Sequence, residues 1–125
     1  MTSHILIVDD SGFARRTLRQ MLEAAGYTVD EASNGNDALE RYFLRRPDLV
    51  LLDLVMEGMT GMEVLARLKE LDPQAKVIVA TADVQSTTRN EAQACGAAGF
   101  INKPFETKQV TAALTTVLAG GIAWT

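Results

Sequence analysis

Leu49-Val50-Leu51-Leu52-Asp53 is the stretch on which the reading of this chain turns. Four apolar residues in a row, without polar alternation, suit a strand buried on both faces of a sheet. The run ends in a carboxylate, so Asp53 is expected at the rim of that sheet, where a nucleophile or a metal ligand would sit. Working outward, the same grammar recurs. Ile5-Leu6-Ile7-Val8 ends in Asp9-Asp10, Val77-Ile78-Val79-Ala80 ends in Thr81, and Gly99-Phe100-Ile101 leads to Lys103-Pro104. An acid pair, an acid, a hydroxyl and an amine thus follow strand candidates in chain order.

Helical patterns separate these strands. Ala14, Leu18, Met21, Leu22 and Ala25 recur at helical spacing, and Gly26 stops the helix as a left-handed glycine would. Tyr27 to Glu31 reads as a half-exposed edge strand. A second helix spans about residues 36–44, with Ala38, Leu39, Tyr42 and Phe43 inward, and Pro47 closes it. Val64, Leu65, Leu68 and Leu71 mark a third helix after Gly58 and Gly61, ended by Asp72-Pro73. A poorly apolar fourth helix is expected at about 85–95. A fifth, at about 107–118, carries Val110, Leu114, Val117 and Leu118. Five strands alternating with five helices predict a single α/β domain, an open, doubly wound parallel sheet covered on both faces. Ligands of such sheets sit beyond the carboxyl ends of the strands, where every polar residue of the opening pattern falls.

Composition narrows the functions. The chain of 125 residues is long enough for one real core. No apolar run reaches the ~20 residues of a membrane span, and Met1-Thr2-Ser3-His4 starts no signal peptide. One cysteine, Cys95, leaves no internal disulfide and fits a reducing compartment, so a cytoplasmic location is expected. With one histidine and one cysteine there is no zinc-type ligand set. Oxygen ligands abound, which points any metal toward a hard cation such as Mg2+. A net charge of -4 argues against direct nucleic-acid binding. Arg45-Arg46 reads instead as the basic end of a helix.

The ordered set resembles the receiver domain of the response regulators of two-component signalling. The matching pieces are Ile7-Val8-Asp9-Asp10-Ser11, Leu51-Leu52-Asp53-Leu54, Gly61, Ala80-Thr81-Ala82 and Gly99-Phe100-Ile101-Asn102-Lys103-Pro104-Phe105. The resemblance implies the CheY-like strand order 2-1-3-4-5 and a receiver over 1–121, with 122–125 as a tail. It implies a phosphorylation switch rather than an enzyme, with Asp53 as phosphoacceptor. Its partners would be a histidine kinase or histidine phosphotransfer domain as donor, a downstream target protein, and a phosphatase. Two departures stand out: Glu57 occupies a position where the family usually carries proline, and Phe100 one where some relatives have tyrosine.

Three carboxylates in one pocket repel one another, and a divalent cation relieves the repulsion. Asp10 and Asp53 are expected as direct Mg2+ ligands, with Asp9 direct or through water; the resemblance adds the backbone carbonyl of Val55. Lys103, the Thr81 hydroxyl and the Ala82 amide would receive the phosphoryl oxygens. The resemblance implies a cis Lys103-Pro104 peptide, and tuning of phosphate lifetime by Val55 and Asp83. Thr81 and Phe100 would form the switch, and the fourth helix, fifth strand and fifth helix would form the changing surface.

Blander readings stand beside these. Asp9 and Asp10 could cap the first helix, with Ser11 capping in either case. Met56, Met59 and Met62 are expected to pack around the loop and third helix, Cys95 to be a buried small residue, and His4 to lie on the surface. Trp124 docks either on the body or on a partner. An aspartyl phosphatase is a second functional reading, but Val55 stands where its general acid would be. A flavin or nucleotide binder is a third, opposed by the acidic loop after the first strand. The leading reading is a stand-alone phosphorylation switch; a relay shuttle, or a receiver excised from a longer regulator, is the alternative compatible with the same residues.

Overall fold

In the computed structural model, residues 2–82 and 85–124 are described. The elements run β1 (His4–Val8), α1 (Gly12–Ala24), β2 (Thr28–Ala32), α2 (Gly35–Arg45), β3 (Leu49–Asp53), α3 (Gly61–Leu71), β4 (Val77–Thr81), α4 (Ser86–Ala94), β5 (Gly99–Asn102) and α5 (Thr107–Leu118). The strands form one parallel sheet in the order β2-β1-β3-β4-β5. Chain order reverses direction at β1, so β1 and β3 flank the switch point, and their carboxyl ends carry Asp9 and Asp53.

The sheet has two apolar faces, and strand alternation sorts residues between them. Leu6, Val8, Val50, Leu52, Val77 and Val79 face α2, α3 and α4. Ile5, Ile7, Leu49, Leu51, Ile78, Ala80 and Ile101 face α1 and α5, against Leu18, Leu22, Val110, Leu114 and Val117. Burial on both sides is why β1, β3 and β4 read as unbroken apolar runs. Only β2, an edge strand, shows partial exposure along its length.

Local chemistry sets the helix ends. Ser11 caps α1 by accepting from the Ala14 N–H, and Asn34 caps α2 in the same way through Asp37. Thr60 and Glu63 form a reciprocal capping box on α3. Gly26 takes a φ of 95° after α1, as its place predicts. Arg46 ends α2 in the left-handed region at φ 46°, and its guanidinium lies over the Phe43 ring.

Several expectations require correction. Phe43 points outward, 61% exposed, because α2 turns its buried stripe through Ala38 and Tyr42 instead. Ala25 is an exposed cap beyond the last helical turn, and Leu71 closes α3 facing solvent. His4 is the first residue of β1, its Nδ1 2.9 Å from Thr28 Oγ1 and its N–H donating to Asp48. Residues after Gly121 fold back: the Ala123 N–H donates to Ala98 O and its carbonyl accepts from Phe100. Of the two readings left open for Trp124, this structure takes the body: its ring stacks on Phe100.

Candidate phosphoacceptor and cation site

Among the described residues the buried polar side chains are Asp9, Asp53 and Thr81, and all three stand at carboxyl ends of neighbouring strands. A buried carboxylate is tolerated only with partners, so the partners define the site. Asp9 Oδ2 accepts from Lys103 Nζ at 2.8 Å and Asp9 Oδ1 from the Ser11 N–H at 2.9 Å. The Asp9 backbone carbonyl accepts from Arg15 Nη1 at 2.7 Å. Asp53 Oδ1 accepts from the Val55 N–H at 3.2 Å, and its Oδ2 lies 3.3 Å from Lys103 Nζ. Asp10, exposed, accepts from the Glu57 N–H at 3.3 Å.

One cation thus faces two buried anions, with Asp9 the nearer partner of Lys103. The imbalance appears in the acidities. Burial, then the charge of Asp9, push Asp53 up to about 6, against the opposing Val55 N–H and Lys103. For Lys103, burial would lower the ammonium, but the Asp9 hydrogen bond and the charges of Asp53 and Asp9 outweigh it and hold it above the usual lysine value.

One carboxylate oxygen from each of Asp9, Asp10 and Asp53 lies within 4.8 Å of the other two. They line a cavity of about 310 Å³ with Ser11, Val55, Thr81, Ala82 and Lys103. Three hard oxygen donors with one lysine between them suit a hard divalent cation, so the residues present fit Mg2+. The sequence-derived set therefore converges on one place, with three qualifications. Phe100 lies away from the cavity, beneath Trp124. The Lys103–Pro104 peptide is cis, and exposed Pro104 lies outside the cavity wall. Asp83 lies outside the described residues.

Two backbone features hold the site. Gly61 packs α3 directly on the strand end: a Cβ there would fall on the Asp53 carbonyl and about 2.5 Å from Leu54 Cα. Glu57, where the family usually has proline, supplies the N–H that meets Asp10, which proline lacks. Arg15 braces the site without a signal in the sequence pattern: it donates to the Asp9 carbonyl, six residues earlier, and to Glu31 on β2.

The fold is a doubly wound α/β domain with an acidic pocket at its switch point and a lysine on the loop after β5. The response regulator receiver domain profile matches residues 5–115. The chain is 41% identical to the chemotaxis protein CheY of Thermotoga maritima over 118 residues, covering 94% of this chain and 98% of that protein. It is 37% identical to sporulation initiation phosphotransferase F of Bacillus subtilis, covering 94% and 95% of the two chains. A LuxR-family two-component response regulator structure from Aurantimonas superposes with a TM-score of 0.93 at 30% identity, covering 98% of this chain and 89% of that one. The chain belongs to the response regulator receiver domain family: it is a CheY-like regulatory switch domain of two-component signalling. No helix among the described residues is long and apolar enough to cross a membrane.

Proposed function

We propose that Asp53 accepts a phosphoryl group from a phosphohistidine donor, with Mg2+ held by Asp10 and Asp53 and by Asp9 directly or through water. The observation that carries this reading is the cluster itself: three carboxylates within 4.8 Å, two of them buried, share one lysine. Bound Mg2+ would supply positive charge to the carboxylates and to phosphoryl oxygens. The chain's own residues do the rest. Asp53, pushed up to about 6, is mostly ionised at neutral pH and so available as a nucleophile. One carboxylate oxygen forms a bond to phosphorus as the P–N bond of the donor breaks. The imidazole leaves with the electron pair and takes up a proton. Lys103 neutralises one phosphoryl oxygen, and the Thr81 hydroxyl and Ala82 N–H receive another, in keeping with their places on the cavity wall.

The added charge draws Thr81 toward the phosphoryl group, Phe100 moves in response, and the α4–β5–α5 face changes for a downstream protein. The construction of α4 supports this reading: Ala92 is its one buried residue. Val55, 71% exposed beside Asp53, and Asp83 would tune the lifetime of the phosphoryl group. A histidine kinase or histidine phosphotransfer domain would be the donor, a phosphatase a further partner, and the cytoplasm the setting. Likeness to a sporulation phosphotransferase favours onward relay as a second output.

The test is incubation with acetyl phosphate and magnesium, followed by intact mass. One labile phosphoryl adduct is expected, lost in Asp53→Ala and suppressed by a chelator. Folded, magnesium-loaded protein that gains no adduct would refute the proposal.

A further inference from the structure

The segment after α5 makes contacts that a loose tail would not. Gly120 takes a φ of 97° and Gly121 donates to the Thr116 carbonyl, turning the chain back toward the sheet. Ala123 then adds to the outer edge of β5 in parallel, bridging Gly99. Its N–H donates to Ala98 O at 2.8 Å and its carbonyl accepts from the Phe100 N–H at 3.1 Å. Gly99 permits the approach, since a Cβ there would lie 3.1 Å from Ala123 Cβ and 3.2 Å from its carbonyl oxygen. Trp124 stacks on Phe100, with ring centroids 6.1 Å apart and planes 29° apart. Arg89 of α4 lies 5.8 Å from both rings. One short segment thereby ties together β5, α4 and the end of α5.

Phe100 is 6% exposed, and Trp124 helps to cover it. Beside it a cavity of about 260 Å³, walled by Ala112, Ala113 and Thr116 of α5 and by Ile122, Ala123 and Trp124, leaves room for rearrangement. The backbone of Phe100 is bonded to the segment and its ring is stacked on it, so a rotation of the Phe100 ring has to break its stacking on Trp124, the outer anchor of the segment.

We infer that residues 122–124 form an intramolecular strap that holds the resting position of Phe100, and that the strap lifts from the β5 edge when the α4–β5–α5 face switches. The inference rests on the switching role of Phe100 proposed above. Strap release and phosphorylation are then linked equilibria: whatever loosens one favours the other by the same factor.

Trp124 is the chain's single tryptophan, so its emission reports on the strap alone. Wild type treated with acetyl phosphate and magnesium is followed in parallel by intact mass, tryptophan emission, acrylamide quenching and amide exchange. Red-shifted emission, stronger quenching and faster exchange at Phe100 and Ala123 are expected in step with the adduct. Ala123→Pro removes the N–H that bonds Ala98, and Arg89→Gln removes the cation over both rings without touching the backbone. Each variant, with its fold checked by circular dichroism, should show partly released Trp124 before any phosphoryl donor is added. Each should also bind the phosphoryl mimic beryllofluoride with magnesium about fivefold more tightly than wild type. An adduct on Asp53 with unchanged Trp124 emission, quenching and Ala123 exchange overturns the strap while leaving the phosphoacceptor reading intact. Absence of both the adduct and beryllofluoride binding on folded, magnesium-loaded protein removes the switch, and the strap's role with it.

Discussion

Replacing Asp53 by asparagine should stabilise the metal-free protein, against the usual expectation for a buried, hydrogen-bonded residue. The side chain is 5% exposed and faces Asp9, with Lys103 nearer to Asp9 than to Asp53. Its carboxyl sits at about 6 instead of the ordinary 3.8, first through burial and then through the Asp9 charge. A folded-state value above the unfolded one means that folded protein holds this proton more firmly. The linked stability is therefore complete below the unfolded value and is lost as pH rises through about 4 to 6. Fully ionised, Asp53 costs up to about 3 kcal/mol, at about 1.4 kcal/mol per pH unit, and this net figure already includes the attraction of Lys103 and the Val55 N–H. Asparagine keeps an acceptor for Val55 and carries no charge. In a chelator at about pH 7.5, Asp53→Asn should gain about 2–3 kcal/mol by urea unfolding, or roughly 5–12 °C in Tm. At about pH 4.5 the same linkage leaves an advantage of only about 1 kcal/mol. An advantage that does not shrink with acidification, or a variant less stable than wild type at neutral pH, would refute the claim that Asp53 is an electrostatically frustrated site.

Magnesium should act in the opposite sense: at about ten times its Kd it should stabilise wild type by about 1.4 kcal/mol, and do so far less in Asp53→Asn or Asp10→Asn, as thermal unfolding with and without chelator would read. Gly61→Ala forces a methyl group onto the Asp53 carbonyl and should destabilise by about 2–4 kcal/mol in urea while also weakening magnesium binding. Tyr42→Phe removes the 2.7 Å hydrogen bond from its hydroxyl to Asp72 Oδ2, tying α2 to the end of α3, and should cost about 1–2 kcal/mol with no effect on phosphoryl uptake. Lys103→Ala should still accept phosphate on Asp53 while losing the change at the α4–β5–α5 face, read as unchanged partner affinity with and without acetyl phosphate.

The strands were legible because burial on both faces leaves an unbroken apolar signature. β1, β3 and β4 fall where their runs predict, and their terminal polar residues meet as expected. Helix boundaries came within a residue or two, since signals such as Ser11 and Gly26 are local. Helix faces were less legible. Phe43 and Leu71 are apolar by composition yet exposed, because only the tertiary placement of Ala38, Tyr42 and Leu68 sets the buried stripe. Contacts between residues far apart in sequence left no trace: the Glu57 N–H with Asp10, and Ala123 with the β5 edge. Each is a backbone contact, and a backbone atom looks the same in every residue type but proline.

The distribution of discomfort in the molecule argues for where its work is done. Among the described residues, the buried polar side chains gather at one end of three adjacent strands. A fold selected for stability alone would end β1 and β3 in apolar or exposed residues, because like charges out of water oppose folding. Here the opposing charges are fixed by strands that cannot move without breaking two apolar faces. A rigid sheet thus holds an unfavourable charge arrangement, and the lightly buried elements lie on its β5 side. There α4 buries little and the edge is closed by three residues and a stacked pair of rings. On the reading proposed above, relief of charge at the rim would pass outward from Thr81 on β4, which pairs Asn102, toward Phe100, which pairs Val79 on the same strand.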